Sequence, residues 1–119
     1  MDNKRKYKRF ITYFEMEYYA NGQSYKGISR DLSLNGLFIE TDNFLDSDSV
    51  VDILIYLPNG LTSKLRGKIR RILEKSPGGK STTTSKQGMG VEIIEQDIIY
   101  SRFITSMYTQ HTLSLRTNS

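Results

Sequence analysis

Residues 10–19 alternate. Phe10, Thr12, Phe14, Met16 and Tyr18 fall on one face, with Ile11, Tyr13, Glu15, Glu17 and Tyr19 on the other. This period-two pattern predicts a strand with one face toward a core. Asn21-Gly22 follows, a dipeptide that tolerates the backbone of a tight hairpin turn, so a return strand is expected over 24–30. Residues 37–41 read as another short strand, and 42–48 as polar connection. Residues 50–57 are apolar and β-branched, with Val51, Ile53, Ile55 and Leu57 facing the core, and Pro58-Asn59-Gly60 ends the run as a turn. A long strand is expected over 62–74, where Gly67 marks a bulge or a close backbone approach. Pro77-Gly78-Gly79 and Thr82-Thr83-Thr84 make 76–85 a hairpin loop, and 87–94 is the last strand, with Val91 and Ile93 on one face. Asp97 is placed to cap a helix from Ile98 to about Gln110, with Ile99, Phe103 and Met107 as its stripe and Tyr100 and Ile104 flanking it.

Six or seven strands with short, turn-rich connections predict a mostly β fold, a closed antiparallel barrel carrying a C-terminal helix. At 119 residues the chain suffices for one domain with its own core. The expected organisation is a flexible basic arm over 1–9, a barrel with its helix over 10–110, and a loose tail over 111–119.

Composition narrows the chemistry. There is no cysteine and one histidine, His111, so a zinc or thiolate metal site is not expected. No apolar run reaches membrane-spanning length, and the charged N-terminus lacks the apolar segment of a secretory signal, so a cytoplasmic protein is expected. Residues 1–9 hold five basic side chains and one acid; the other residues hold twelve of each sign, so the net charge of +4 belongs to the arm. A neutral body speaks against a broad basic face gripping a long nucleic acid. It fits a small anion caught by the arm.

Two segments carry candidate chemistry. In Lys4-Arg5-Lys6-Tyr7-Lys8-Arg9, Arg5 and Arg9 would share one edge of an extended arm. Their guanidinium forks suit phosphate and the O6/N7 edge of guanine. In Asp31-Leu32-Ser33-Leu34-Asn35-Gly36, Asp31, Ser33 and Asn35 would project to one side of an extended segment, backed by Leu32 and Leu34. A fixed carboxylate there suits the N–H donors of guanine. The plainer alternative is a set of local turn bonds by Asp31 and Ser33, with Gly36 supplying a positive φ. Gly79-Lys80-Ser81 has the end of a phosphate-binding loop, but Glu74 stands where that loop needs glycine. Ser33 lacks a base partner and the carboxylates lack a clear pair, so an enzyme is not expected.

The two segments together resemble the PilZ domain family of bacterial cyclic di-GMP receptors. The family pattern, Arg-x-x-x-Arg and then Asp/Asn-x-Ser-x-x-Gly, is matched by Arg5, Arg9, Asp31, Ser33 and Gly36. Gly88-Met89-Gly90-Val91-Glu92-Ile93 is similar to the family's last strand. The resemblance implies a six-stranded antiparallel barrel with a C-terminal helix and no enzymatic activity. It also implies roles. Arg5 and Arg9 meet phosphate and guanine, Asp31 accepts from guanine N–H groups, Ser33 donates to phosphate, and Gly36 admits a base. Lys4, Asn35 and Gly90 are secondary candidates, Lys4 bearing on whether one or two ligand molecules stack. The implied ligand is cyclic di-GMP, with no other cofactor and no metal. Closure of the arm would signal to an effector protein. The rival readings are a basic-armed barrel for single-stranded nucleic acid and a PilZ-like interaction module that binds no ligand.

Overall fold

The computed structural model describes residues 9–74 and 87–117, with side chains through residue 110. The expectations for residues 1–8, including Lys4 and Arg5, and for the 76–85 loop lie outside the described residues.

The chain forms strands β1 (Phe10–Ile11), β2 (Glu15–Ala20), β3 (Gln23–Leu32), β4 (Gly36–Glu40), β5 (Val50–Tyr56), β6 (Thr62–Leu73) and β7 (Gly88–Gln96), then helix α1 (Ile98–Thr117). The sheet order is β1-β3-β2-β5-β6-β7-β4, and β4 also pairs with β3. β2 to β7 therefore close a six-stranded antiparallel barrel, and β1 is an extra strand lying on β3. The fold class expected from the sequence is the one observed.

β1 and β2 are the single strand expected over 10–19, interrupted at 12–14. The Ser29 hydroxyl causes the break: it bonds the Thr12 hydroxyl at 2.6 Å and accepts from the Phe14 N–H at 3.0 Å. The Phe14 N–H thus goes to a side chain instead of the ladder, while the Thr12 N–H still donates to the Arg30 carbonyl and the Ser29 N–H to the Phe14 carbonyl, each at 2.9 Å. The expected faces survive, with Met16 and Tyr18 buried and Ile11 and Tyr13 exposed. Asn21 and Gly22 both take positive φ, 53° and 77°, as the hairpin turn requires.

The core is filled from every wall: Met16, Tyr18, Leu32, Leu37, Ile39, Val51, Ile53, Ile55, Leu65, Ile69, Met89 and Val91. Gly67 meets both expectations placed on it. A Cβ there would stand 2.3 Å from Val91 Cγ1, and the β6–β7 register shifts between Arg66 and Gly67.

Helix α1 covers one side of the barrel through Tyr100 and Ile104, both fully buried, with Ile99, Phe103, Met107 and Tyr108 partly buried around them. The pair expected to flank the stripe is thus its centre. The helix also runs to Thr117, past the loose tail expected from residue 111. No glycine or proline occurs from 98 to 117, so no helix-breaking residue ends it at Gln110. Among the described residues, no helix is long and apolar enough to cross a membrane.

Asp97 joins the helix to the barrel. Its carboxylate accepts from the Tyr100 N–H at 3.0 Å, the Ser63 hydroxyl at 2.7 Å and the Lys64 N–H at 2.9 Å. Burial pushes its pKa upward, but the bonds from Lys64, Ser63 and Tyr100 outweigh that, and it lies below the ordinary carboxylate value. A depressed carboxylate stabilises the fold at neutral pH, and that gain fades as pH falls through the folded-state value. Asp97→Ala should therefore cost about 1–2 kcal/mol at pH 7. Urea titrations in acid should bring the two proteins closer together.

Candidate functional site

The segment joining β3 to β4 is a tight turn. Leu32 ends β3 inside the core and Leu37 re-enters the core from β4, which leaves four residues to reverse the chain. The Ser33 N–H donates to the Gly36 carbonyl at 2.8 Å. The Ser33 hydroxyl lies within 3.1 Å of the Gly36 N–H and 3.0 Å of Asn35 Oδ1, and the residue is 1% exposed. Ser33 therefore builds the turn. Its hydroxyl, assigned to phosphate by the family resemblance, faces inward here.

Neighbouring elements clamp this turn. The buried Tyr100 hydroxyl donates to the Ser33 carbonyl at 2.6 Å, and burial holds its pKa far above the usual phenol value. The Leu34 N–H donates to the Tyr108 hydroxyl at 3.3 Å. Gln96 Nε2 donates to the Leu34 carbonyl at 2.8 Å, and the Ile93 N–H to the Asn35 carbonyl at 3.0 Å. The arrangement leaves Asn35 exposed, while Leu34 packs against the core.

Asp31, just before the turn, points outward and meets Arg9. Arg9 Nη1 donates to Asp31 Oδ1 at 2.5 Å, with both side chains about a quarter exposed. Charge-assisted bonds of this kind are short and directional. The structure thus brings Arg9 and Asp31 together across 22 residues of sequence. The next residue, Phe10, packs its ring on Tyr108, centroids 5.0 Å apart.

Arg9, Asp31, Asn35 and Gly36 border a cleft of about 420 Å³, with Leu37, Phe38, Gly90, Val91, Glu92, Arg70 and Arg71 completing the lining. Gly36 does not take a positive φ; its smallness matters instead. A Cβ there would lie 3.0 Å from the Val91 carbonyl oxygen and 3.3 Å from Arg9 Nη2. Gly90 keeps the adjacent strand equally low. The strand register pairs Asp31 with Phe38, Phe38 with Gly90, and Gly90 with Arg71, one row across β3, β4, β7 and β6.

The sequence reading missed Arg70 and Arg71. Leu65, Gly67 and Ile69 point inward, so strict alternation would bury Arg71 in the core. A bulge between Ile69 and Arg71 shifts the register and leaves both arginines on the outer surface. An ion pair at the surface of β6 occupies Arg70, which reaches Glu92 at 2.7 Å and Asp48 at 3.1 Å. The doubled arginine in Lys68-Ile69-Arg70-Arg71-Ile72 is the signal that could have revealed the bulge, since a core cannot take an unpaired guanidinium.

A second cleft, about 490 Å³, is lined by Glu15, Glu17, Glu40 and Asp42 with Lys26 as its one cation. That lining repels a phosphate-bearing ligand, so size does not decide between the two. No group of three or more His, Asp or Glu side chains among the described residues could hold a metal.

The fold is a small closed β-barrel with a cleft beside the β3–β4 turn. The PilZ domain model matches residues 3–109, and the chain belongs to the PilZ domain family. No curated protein matches it significantly. Several solved structures share the fold, among them the following three. The Bacillus subtilis inhibitor of motility, MotI/DgrA, aligns with a TM-score of 0.73 at 16% identity, over 95% of this chain and 53% of that one. The K. pneumonia MrkH–c-di-GMP complex aligns with a TM-score of 0.69 at 14% identity, over 99% and 56%. The PilZ domain of YcgR from Escherichia coli, with c-di-GMP, aligns with a TM-score of 0.65 at 16% identity, over 98% and 97%. This chain thus spans little more than half of MotI/DgrA and MrkH and nearly all of the YcgR domain.

Gly36→Ala tests the close packing at the turn. The added methyl must displace the Val91 carbonyl or the Arg9 guanidinium. Chemical denaturation should show a loss of about 1–3 kcal/mol, and backbone amide shifts should change at Arg9 and Asp31.

Proposed function

We propose that this chain is a receptor domain for cyclic di-GMP that fastens its N-terminal arm on the bound ligand and passes the change to a partner protein. The observation that carries the reading is the Arg9–Asp31 pair at the rim of a glycine-floored cleft, within a chain of the PilZ family. Each member of the pair offers what a guanine nucleotide needs. Arg9 presents N–H donors to phosphate oxygens or the O6/N7 edge, and Asp31 presents acceptors to the opposite edge of the base. Ser33 contributes by shaping the turn, Asn35 and Gly90 by bordering the cleft, and Arg5 and Lys4 by arriving with the arm. Two of the solved relatives are described with c-di-GMP, which supports the same ligand here.

The energetics require several contacts at once. Micromolar affinity corresponds to about −8 kcal/mol. Ordering about six arm residues costs roughly 1–2 kcal/mol each. Charge-assisted hydrogen bonds contribute about 1.5–3 kcal/mol each, so a single arginine is too few. The output runs through α1 in this reading. Phe10, next to Arg9, packs on Tyr108, whose hydroxyl accepts from the Leu34 N–H in the turn. A shift of Arg9 toward the ligand therefore reaches the helix directly, and the helix presents the surface a partner reads. PilZ domains act as receptors and adaptors, and this chain is assigned no reaction.

Calorimetry with cyclic di-GMP provides the test. Wild-type protein should bind. Arg9→Ala should weaken binding at least tenfold and more than Lys6→Ala does, and saturating ligand should slow tryptic cleavage of the arm. Equal losses from the two variants would mean that charge alone matters. Retention of single-stranded oligonucleotides on a filter, without retention of the dinucleotide, would favour the nucleic-acid reading.

A further inference from the structure

Of the arginines on the outer face of β6, two are already neutralised. Arg66 reaches Asp52 at 3.0 Å and Glu95 at 3.8 Å. Arg70 is held by Glu92 and Asp48. Arg71 differs. It is exposed, it lines the 420 Å³ cleft, and among the described residues its guanidinium has no hydrogen bond or ion pair. It owes that position to the bulge after Ile69, a distortion that re-aims side chains and concentrates near binding sites.

The strand register shows what Arg71 faces. Asp31, Phe38, Gly90 and Arg71 occupy one row across four adjacent strands. Three interstrand spacings separate the ends, roughly 14 Å between backbones. Arg9 and Asp31 stand at one end of the row, Arg71 at the other, and Gly90 keeps the floor low beside it. A Cβ at Gly90 would meet Arg71 Cβ at an ordinary 3.5 Å, so the glycine is not forced by packing against Arg71. The open space above it is available to a ligand.

We propose that Arg71 is a ligand-binding residue, a second cationic wall that takes the part of the cyclic dinucleotide facing away from Arg9. This rests on the receptor reading above. A symmetric ligand with two phosphates and two guanines presents acceptors on both sides. One arginine at each end of the cleft grips both, and the arm need not supply every cation. The unspent guanidinium offers five donors in a fixed fork, suited to a phosphate or to the O6/N7 pair of guanine.

The experiment is calorimetry with cyclic di-GMP on wild type, Arg71→Ala, Arg71→Lys and Arg66→Ala. Arg66 lies on the same strand outside the cleft, so its removal reports loss of charge alone. Arg71→Ala should weaken binding tenfold or more, with Arg66→Ala within about threefold of wild type. Loss in Arg71→Lys equal to that in Arg71→Ala supports a forked contact; near-complete rescue by lysine supports a point charge on phosphate. Thermal melts should show Arg71→Ala folded, since its side chain supports no other group. If wild type binds and Arg71→Ala binds equally well, the second wall is refuted while the receptor reading stands. If wild type does not bind, both fall.

Discussion

A buried hydroxyl organises this molecule. Tyr100 has no exposed surface, and its O–H must find an acceptor inside the protein because water cannot reach it. It finds the Ser33 carbonyl at 2.6 Å. That bond, with the one from the Leu34 N–H to the Tyr108 hydroxyl, ties α1 to the turn between β3 and β4. The turn places Asp31 before it and Gly36 after it, and Asp31 in turn holds Arg9. Asp97 fixes the start of the same helix against β6 and accepts from the Tyr100 N–H. The helix thus secures the turn that borders the cleft, while the strands themselves line it.

The barrel's outer surface shows how charge is sorted. Arg66 and Arg70 sit in cross-strand ladders with acids from both flanks, where exposed ion pairs are worth little individually but keep the face neutral. Arg9 is also paired, with Asp31 at the rim of the cleft. Arg71 is left over. Residues 10–119 are neutral in sum, and Arg9, Arg70 and Arg71 line the 420 Å³ cleft beside Asp31 and Glu92.

Much of the fold could be read from residue order. The alternation over 10–19 named the correct inward face, Asn21-Gly22 named the hairpin, and Val51, Ile53, Ile55 and Leu57 are all buried as their spacing implies. These features are local, and local sterics with period-two burial suffice to produce them. The pattern Asp31-x-Ser33-x-x-Gly36 was visible as well, but not its division of labour. An extended reading put Ser33 beside Asp31 facing solvent. The chain instead reverses there, because Leu32 and Leu37 must both return to the core, and Ser33 turns inward to satisfy the reversed backbone.

Residue order alone therefore determined most of the strands, the Asn21-Gly22 hairpin, the helix start at Asp97 and the family signature, but not the break between β1 and β2. Each of these depends on neighbours a few positions apart. Tertiary structure decided which ends of those strands share a cleft, that Tyr100 rather than Phe103 is the helix's anchor, and that Arg71 escapes the core. Those outcomes depend on strand register and on a bulge. A slip of one residue reverses every side chain that follows, and the pairing of β6 with β7 shows where the slip occurs.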